Sequence, residues 1–301
     1  MSASVNQTQA ETRSAYVAGV GCYVLWGFLP LYFHLLSNLG VPPWEMIAHR
    51  SLWSVLWAAG LVLIARQGGQ VAQVLRQPKT LGVLALSTLA IFSNWTIYVF
   101  AVNAGHVIEA SLGYYINPLM NMAAGALLFR ERMTVEGKVA IGFAVVGVGI
   151  QTLALGHLPI VSLGLALTFC AYGILRKQVK ADAQTGLFVE CAYLALPGLF
   201  YVLHLQASGQ GHFGAGVTAL LALAGPATVI PLALFAWSAR RLPLSALGFL
   251  QFIAPTLQFL LGVAFGEPFT PLRALSFAFI WLGVAVFAYG AWKRTRVLAP
   301  A

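Results

Sequence analysis

The amino-acid sequence predicts an all-α integral membrane protein, from its composition and from the spacing of its apolar stretches. Hydrophobic residues make up 59% of the 301 positions, charged residues only 8%, and the mean hydropathy is +0.82. A soluble domain carries about 25% charged residues, so this chain cannot cover its surface for water. The apolar stretches have the length of helices, whereas the strands of a membrane barrel alternate with a period of two, so a helical bundle is predicted.

Ten apolar stretches follow one another, each about twenty residues long, which is the length that a helix needs to cross a bilayer. The loops between them are short and leave no room for a soluble domain. A polar head precedes the first stretch, which is too long to be the apolar part of a cleavable signal peptide. The ten predicted spans are about 15–36, 44–65, 80–102, 107–129, 135–153, 160–178, 186–205, 216–238, 243–265 and 271–292.

The lysine and arginine residues predict the orientation of these spans. Fifteen of the seventeen lie at alternate span ends and therefore on one side of the membrane, and only Arg50 and Arg273 lie near the opposite side. Positive charge marks the cytoplasmic side, so both termini are predicted to be cytoplasmic. The net charge of +9 is thus a signal of topology, and no nucleic-acid partner is expected.

The two halves of the chain resemble each other. "AVNAGHVIEASLGYY" (101–115) aligns without a gap on "AWSARRLPLSALGFL" (236–250), and "ERMT" (131–134) matches "EPFT" (267–270). Each half holds five spans, an odd number, so the second half must enter the membrane from the opposite side. The prediction is two inverted repeats, residues 1–154 and 155–301, which is the architecture of alternating-access transporters with a site near the midplane.

Four segments of the chain carry a recognisable family pattern: "YVLWGFLPLYFHLL" (23–36), "PPWEMIAHRSLWS" (42–54), "SNWTIYVFAVNAGHVIEASLGYYINPL" (93–119) and "LLFRERMT" (127–134). They resemble the drug/metabolite transporter superfamily in its two-repeat EamA form, and the RarD branch in particular. This resemblance implies a ten-helix carrier of small metabolites in a bacterial inner membrane. Relatives of this kind include exporters of amino acids, notably aromatic ones, and proteins linked to drug resistance.

Three prolines lie well inside predicted spans. A proline has no N–H to donate, so Pro118 frees the carbonyl of Tyr114, Pro255 frees that of Gln251, and Pro30 frees that of Trp26. A freed carbonyl in a membrane needs a neighbouring helix, water or a ligand. Pro118 and Pro255 occupy corresponding helices of the two halves, which favours a hinge or a site there. For Pro30 an ordinary kink is the simpler interpretation.

Polar side chains share one face of the fourth span and one face of the ninth. Such a face must turn toward the interior of the bundle or toward a wet space, where it either contacts substrate or forms interhelical hydrogen bonds. Helical spacing groups Tyr114, Asn117, Pro118 and Asn121 in the fourth span, and Gly248, Gln251, Pro255 and Gln258 in the ninth.

Span two carries Glu45, His49 and Arg50, close to its outer edge. A charge at the centre of a bilayer costs roughly 2.5–3.5 kcal/mol on insertion scales, so Arg50 is expected to be paired with Glu45, Glu109 or Glu190. Alternatively, Arg50 receives the carboxylate of a substrate, and these glutamates or His49 act as proton carriers or gates. A structural ion pair with an interfacial histidine is the competing interpretation.

Aromatic side chains could stack on a flat substrate ring, although some of them belong to the interfacial belts of the membrane. Asn94, Trp95 and Tyr98 share a face deep in span three, which makes them the stronger candidates. Spans five and ten carry few polar residues and are expected to be scaffold. The aromatic candidates are Trp26, Trp53, Trp95, Tyr98 and Tyr172.

Enzyme motifs are not supported by their context. "GQGHFG" (209–214) fits a dinucleotide-binding pattern but lies in an outer loop without a preceding strand, and Asp182 is the only aspartate. No cofactor or metal is expected, and the three cysteines are interpreted as packing residues. The sequence therefore predicts an alternating-access carrier that exports small amphipathic metabolites, with aromatic or other neutral amino acids as the best candidates. A drug permease, a passive channel and, more distantly, a membrane enzyme are the alternatives, and the oligomeric state is left open.

Overall fold

The computed structural model describes residues 2–128, 130, 133–214, 216–239, 241–242, 247 and 250–298, and within these residues every regular element is an α-helix. The first part of the predicted ninth span therefore lies mostly outside the described residues. The helices are α1 (Ser2–Gly27), α2 (Leu29–Asn38), α3 (Pro43–Ile64), α4 (Gly68–Leu75), α5 (Pro78–Asn103), α6 (Val107–Leu128), α7 (Val135–Leu155), α8 (Ile160–Gln178), α9 (Ala183–Ala207), α10 (Thr218–Ala239), α11 (Ile253–Ala264) and α12 (Pro271–Leu298).

Eight helical stretches among the described residues are long and apolar enough to cross a membrane, the first of them joining α1 and α2. This confirms the prediction of an all-α membrane protein. Two further predicted spans correspond to α6, which has 22 residues but is rich in polar groups, and to α11, which has 12 residues. The total of ten spans therefore stays a prediction.

Helix starts follow local sequence signals. Proline occupies one of the first two positions of α2, α3 and α5, where its missing N–H has no partner to lose. The hydroxyl of Thr134 accepts a hydrogen bond from the N–H of Gly137 and caps α7. The same helix ends at Gly156, whose φ of 74° is the left-handed conformation that glycine adopts freely.

The helices pack in a pattern that pairs the two halves of the chain. Helix α3 lies against α9 and α10, α5 against α8 and α9, α1 against α10 and α11, and α6 against α8 and α11. Helices α7 and α12 pack mainly against each other. If each of the ten predicted spans is exchanged for the one five predicted spans away, this set of main helix pairs is unchanged.

Small residues allow the central helices to approach closely, as is common between membrane helices. A β-carbon placed on Gly198 of α9 would lie 2.9 Å from the carbonyl oxygen of Ala48, and one on Gly225 of α10 would lie 2.8 Å from that of Trp53. Helix α3 is therefore held tightly from two sides. This packing fixes the helix that carries Arg50.

Two spans are interrupted close to prolines. A turn at Phe28 separates α1 from α2, two residues before Pro30. Turn residues 251 and 252 precede α11, and Pro255 lies in the first turn of that helix. Helix α6 differs, because it continues through Pro118 without a break. The matched prolines Pro118 and Pro255 thus have different local structures.

Candidate functional site

Arg50 of α3 lies inside the bundle with only 5% of its surface exposed. Its Nε donates a hydrogen bond of 2.9 Å to the hydroxyl of Thr228 on α10. The guanidinium carbon lies 4.1 Å from the ring centre of Trp95 and 5.9 Å from that of Phe33, which are cation–π distances. Side chains from three other helices, α2, α5 and α10, therefore surround this cation.

The prediction that Arg50 forms an ion pair is wrong for the described residues. None of their carboxylates lies within ion-pair distance of it, since Glu45, Glu109 and Glu190 bind other groups. The terminal nitrogens of the guanidinium make no hydrogen bond to a described side chain or carbonyl. A planar fork that fits a carboxylate is therefore left without a partner from the described chain.

Aromatic groups beside Arg50, and an amide one helical turn along α6 from Tyr114, also retain unused hydrogen-bonding capacity. The rings of Tyr98 and Tyr114 pack edge to face at 5.6 Å, and Tyr98 also packs edge to face on Phe33, one of the rings beside Arg50. The Tyr98 hydroxyl and the Oδ1 of Asn117 are buried and have no partner among the described atoms. Buried polar groups of this kind are normally satisfied, so these two are candidate contacts for a bound molecule.

Asn94 joins three helices beside these tyrosines. Its amide nitrogen donates to the carbonyl of Leu165 and to the hydroxyl of Thr168, both at 3.0 Å, which ties α5 to α8. The hydroxyl of Tyr114 on α6 donates to its Oδ1 at 3.4 Å. The sequence-predicted residues Arg50, Asn94, Trp95, Tyr98 and Tyr114 are therefore brought together.

Glu45 lies in a different group, at the end of α3 nearer the predicted outer side. It is 1% exposed, and its carboxylate accepts two hydrogen bonds of 2.7 Å from His212, one from the backbone N–H and one from Nδ1. Nε2 of His49 lies 3.9 Å from the same carboxylate. His49 also stacks on Phe213, and its Nδ1 accepts from the indole of Trp53 at 3.1 Å.

Glu190 forms a third group, on α9. Its carboxylate accepts from the hydroxyl of Ser87 at 2.5 Å and from that of Tyr172 at 3.2 Å. Nη1 of Arg176 lies 3.7 Å away, and its guanidinium packs over Gly186. Tyr172 was predicted to contact substrate, and the structure places its hydroxyl on Glu190.

Two further carboxylates bind helix N-termini, where backbone N–H groups lack partners. Glu109 accepts from the N–H of Val161 in the first turn of α8 at 3.2 Å. Glu267 lies in the loop before α12, and it accepts from the N–H groups of Val107 and Ile108 at 2.5 and 2.9 Å. Burial raises the pKa of Glu267, and these two backbone donors lower it in part.

The remaining predicted residues lie at the helix breaks or at the bundle surface. Trp26 packs against Tyr23 and Phe235, and its carbonyl accepts from the side chain of Gln258. Gln251 lies in the turn before α11, and no described contact joins its side chain to Arg50. Asn121 is exposed, so the polar face of α6 does not extend that far into the bundle.

The three cysteines pack inside the bundle. Cys22, Cys170 and Cys191 are buried free thiols, which confirms the interpretation of them as packing residues. Among the described residues, no three histidine, cysteine or acidic side chains gather as a metal site would require.

Sequence reasoning missed Thr228, His212 and Phe33. Thr228 lies on an almost wholly apolar helix, and no local pattern relates it to Arg50, which is 178 positions away. His212 belongs to the "GQGHFG" segment, which was considered only as a nucleotide-binding pattern because of its glycines. Its role as a hydrogen-bond partner of Glu45 was therefore not predicted. Phe33 was hidden among many apolar residues.

A bundle of apolar helices around a buried arginine and several aromatic rings defines a multi-pass membrane protein. Residues 13–153 match the EamA-like transporter family. The chain is 45% identical to an uncharacterized transporter, PA0485, of Pseudomonas aeruginosa, covering 96% of this chain and 98% of that one. It is 40% identical to the protein RarD of Salmonella typhi, covering 93% and 96%.

A second relative in Pseudomonas aeruginosa, the chloramphenicol-sensitive protein RarD, is 30% identical and covers 91% of this chain and 92% of its own length. A protein of known crystal structure shares the fold with a TM-score of 0.59 at 22% identity, over 96% of this chain and 99% of that chain. The chain belongs to the EamA-like transporter family, in its RarD-like branch, and is a membrane transporter.

Proposed function

We propose that this transporter is an alternating-access carrier that exports small amphipathic metabolites bearing a carboxylate, with aromatic or other neutral amino acids as the best candidates. The observation that carries the proposal is Arg50, a buried cation whose terminal nitrogens have no partner among the described residues. An uncompensated charge inside a membrane protein is costly. A substrate carboxylate would offset that cost, because it accepts two parallel hydrogen bonds from the guanidinium fork.

The surroundings of Arg50 suit the rest of such a substrate. Trp95 and Phe33 flank the guanidinium, and Tyr98 and Tyr114 lie beside it, so an apolar or aromatic side chain would be buried against rings. The unpartnered Tyr98 hydroxyl can donate to or accept from the substrate, and the Asn117 Oδ1 can accept from an ammonium group. An amino acid presents both kinds of group to this site.

The neighbour pattern of the helices supports the transport mechanism. Exchange of each predicted span for its counterpart five spans away leaves the set of main helix pairs unchanged, as expected for two repeats, residues 1–154 and 155–301. Rocking of one repeat against the other around a fixed central site is the usual way in which such folds alternate access. The inverted orientation, cytoplasmic termini and a bacterial inner membrane location are part of this proposal.

A drug permease is the second candidate, because one relative is named a chloramphenicol-sensitive protein. A neutral aromatic compound would use the rings of Trp95, Tyr98 and Tyr114 but would not need the guanidinium. A passive channel would also conduct small solutes, but it would not accelerate flux when substrate is present on the opposite side. The role of Arg50 and the counterflow behaviour therefore separate these functions.

The first test is a thermal stabilisation screen of the purified protein with amino acids and with their carboxyl-amidated analogues. We expect free aromatic or neutral amino acids to stabilise the wild type, and Arg50→Lys to remove this effect while the protein stays folded. Lysine keeps the charge but lacks the planar fork. Arg273→Lys is the matched control, because Arg273 binds the carbonyl of Pro268 in a loop.

The second test is counterflow in proteoliposomes. A carrier exchanges labelled for unlabelled substrate faster than it leaks, a channel does not, and an enzyme would return a chemically altered product.

The stabilisation screen has two outcomes that would contradict the proposal. Equal stabilisation by free and amidated compounds, with Arg50→Lys behaving as the wild type, would favour the drug permease. Loss of binding of both classes in Arg50→Lys would make Arg50 structural.

A further inference from the structure

Arg50 brings a positive charge into the bundle that no carboxylate of the described chain balances. The sequence has eight acidic residues, and all but Glu131 lie among the described residues. None of the described carboxylates lies within ion-pair distance of Arg50. Glu131 stands between Arg130 and Arg132, in a basic segment that the charge distribution predicts to be cytoplasmic. Among the described residues, the site around Arg50 therefore carries a net positive charge.

Glu45 is the acidic residue nearest to Arg50 in the sequence, but it faces another way. Five positions along a helix with 3.6 residues per turn place the two side chains about 140° apart around α3. The carboxylate of Glu45 accepts two bonds from His212, whereas Arg50 contacts side chains of α2, α5 and α10. Glu45 is therefore not the counter-ion of Arg50.

The other described acidic side chains bind or pack at other places. Glu109 and Glu267 accept from backbone N–H groups at the starts of α8 and α6. Glu190 accepts from two hydroxyl groups and faces Arg176, so that partly buried cation already has a carboxylate beside it. The remaining three lie toward the predicted cytoplasmic side: Asp182, which accepts from Gln67, Glu136, which packs against Gly290, and Glu11, which is exposed.

The groups near Arg50 that remain available to a ligand are neutral. The Thr228 hydroxyl is used twice, since it accepts from Arg50 and donates to the carbonyl of Ala224. The Tyr98 hydroxyl and, along α6, the Oδ1 of Asn117 have no partner among the described atoms. A neutral oxygen can accept a hydrogen bond from a hydroxyl or an ammonium group, but it cannot cancel a positive charge.

We infer that the ligands this site binds most tightly are monoanions, carboxylates with an apolar or aromatic body and no ammonium group, such as arylalkyl carboxylates and 2-hydroxy acids. The carboxylate cancels the charge of the guanidinium, so the occupied site is neutral and its burial costs less. A zwitterionic amino acid supplies the same carboxylate, but its ammonium group keeps the occupied site at the net charge of Arg50. This ammonium group is only two bonds from the carboxyl carbon, so it lies close to the guanidinium and repels it.

This inference rests on the proposed function, since it takes a carboxylate bound to Arg50 as given, and it narrows the substrate class by charge. Amino acids stay within the class as its weaker members, held by the same guanidinium. A like charge this close is poorly screened inside a protein. We therefore expect the dissociation constants of matched compounds with and without the ammonium group to differ by about tenfold or more.

Four compounds with the same phenyl ring and the same three-carbon chain separate charge from shape. At about pH 7, 3-phenylpropanoate and phenyllactate are monoanions, phenylalanine is a zwitterion, and 3-phenylpropanamide is neutral. Each is titrated against the purified wild type, and thermal stabilisation gives its apparent dissociation constant. We expect both monoanions to bind at least about tenfold more tightly than phenylalanine, and the amide to bind weakest.

Asn117→Asp tests whether charge sets this ranking. The variant places a carboxylate where a neutral oxygen lies buried on α6. An ammonium group then meets an opposite charge, so phenylalanine should gain on 3-phenylpropanoate and the ranking should narrow or reverse. Asn121→Asp is the matched control, because it adds the same charge to the same helix at an exposed position and should keep the wild-type ranking.

The outcomes separate this inference from the proposed function. If phenylalanine binds as tightly as 3-phenylpropanoate or more tightly, and Arg50→Lys weakens both, the inference is overturned and the proposed function stands. If 3-phenylpropanamide binds as tightly as the carboxylates and Arg50→Lys changes nothing, or if neither this series nor the matching series built on leucine stabilises the protein, both fail. The same ranking in Asn117→Asp and Asn121→Asp would also overturn the inference. The main ranking is measured on the wild type, so it does not depend on the folding of a variant.

Discussion

The side-chain amide of Gln258 on α11 donates a hydrogen bond of 3.1 Å to the backbone carbonyl of Trp26 near the end of α1. This is the carbonyl that Pro30 leaves without its helical partner. A carbonyl can only accept, so the NH₂ group of the glutamine faces it. A side chain from the predicted second repeat thus satisfies the carbonyl that the break in the first span leaves free. The bond joins the two predicted repeats close to the interruptions of the first and ninth spans.

Loss of this bond should destabilise the protein. Gln258→Leu leaves a buried carbonyl unsatisfied, which costs about 1–3 kcal/mol, so the melting temperature and the free energy of unfolding should fall. Gln251→Leu is the control, because the Gln251 side chain makes no hydrogen bond to a described residue. Pro30→Ala supplies a new N–H for the Trp26 carbonyl, so it should recover part of the loss in the double variant. Equal losses in Gln258→Leu and Gln251→Leu would show that the bond contributes nothing specific.

Local sequence signals predicted the helices, and they singled out Pro30 and Pro255, the prolines near which the first and ninth spans are interrupted. The lengths of the apolar stretches predicted the spans. The missing N–H of Pro30 indicated that the carbonyl of Trp26 needs another partner. The identity of that partner could not be predicted, because helical periodicity gives the face of a helix and not the helix that it meets. Asn121 shows the same limit, since it shares a face with Asn117 and yet is exposed.

The sequence predicted several residues of the candidate site, but it did not predict which residues bind one another. Arg50, Trp95 and Tyr98 were singled out by charge, aromatic type and spacing, and they do meet. The ion pair expected for Arg50 was wrong, because its possible partners are bound by groups distant in sequence. Glu45 is held by His212, 167 positions away, and only tertiary packing brings those two residues together.

Thr228 should act as a positioning residue for Arg50. Thr228→Val keeps the shape but removes the acceptor for Nε, and a hydrogen bond to a charged group is worth about 1.5–3 kcal/mol. We expect the affinity for carboxylate substrates to fall about tenfold or more, while amidated analogues are little affected. Thr88→Val is the control, because Thr88 is also buried and its hydroxyl donates only within its own helix. Equal titration curves for the two variants would remove Thr228 from the site.

Chemical labelling of the two ends of α9 tests the predicted orientation of the protein in the membrane. Ala183 and Ala207 are its first and last residues, and both are exposed. In a chain whose three buried cysteines are replaced by alanine, Ala207→Cys should react with an impermeant maleimide in intact cells. Ala183→Cys should react only after permeabilisation, because it lies beside the predicted cytoplasmic basic residues. The reverse pattern would contradict both the orientation and the outer location of residues 209–214.

The last prediction concerns the two matched prolines, whose surroundings differ. Helix α6 continues through Pro118, whereas two turn residues interrupt the ninth span before Pro255. Pro255→Ala offers an N–H to the carbonyl of Gln251 and allows the helix to continue across the break. We therefore expect it to slow counterflow strongly and to change substrate binding little, because it stiffens the break in the span and leaves the side chains around Arg50 in place.

Pro118→Ala restores only one bond, to the carbonyl of Tyr114, within a helix that is already continuous, so its effect on exchange should be in the same direction and smaller. Both rates are measured by counterflow, and binding is measured by thermal stabilisation. If Pro118→Ala slows exchange more than Pro255→Ala, the flexible point lies in α6 and the break before α11 is rigid. If neither variant changes exchange, both prolines serve packing alone, and alternation must then arise from movement of intact helices against one another.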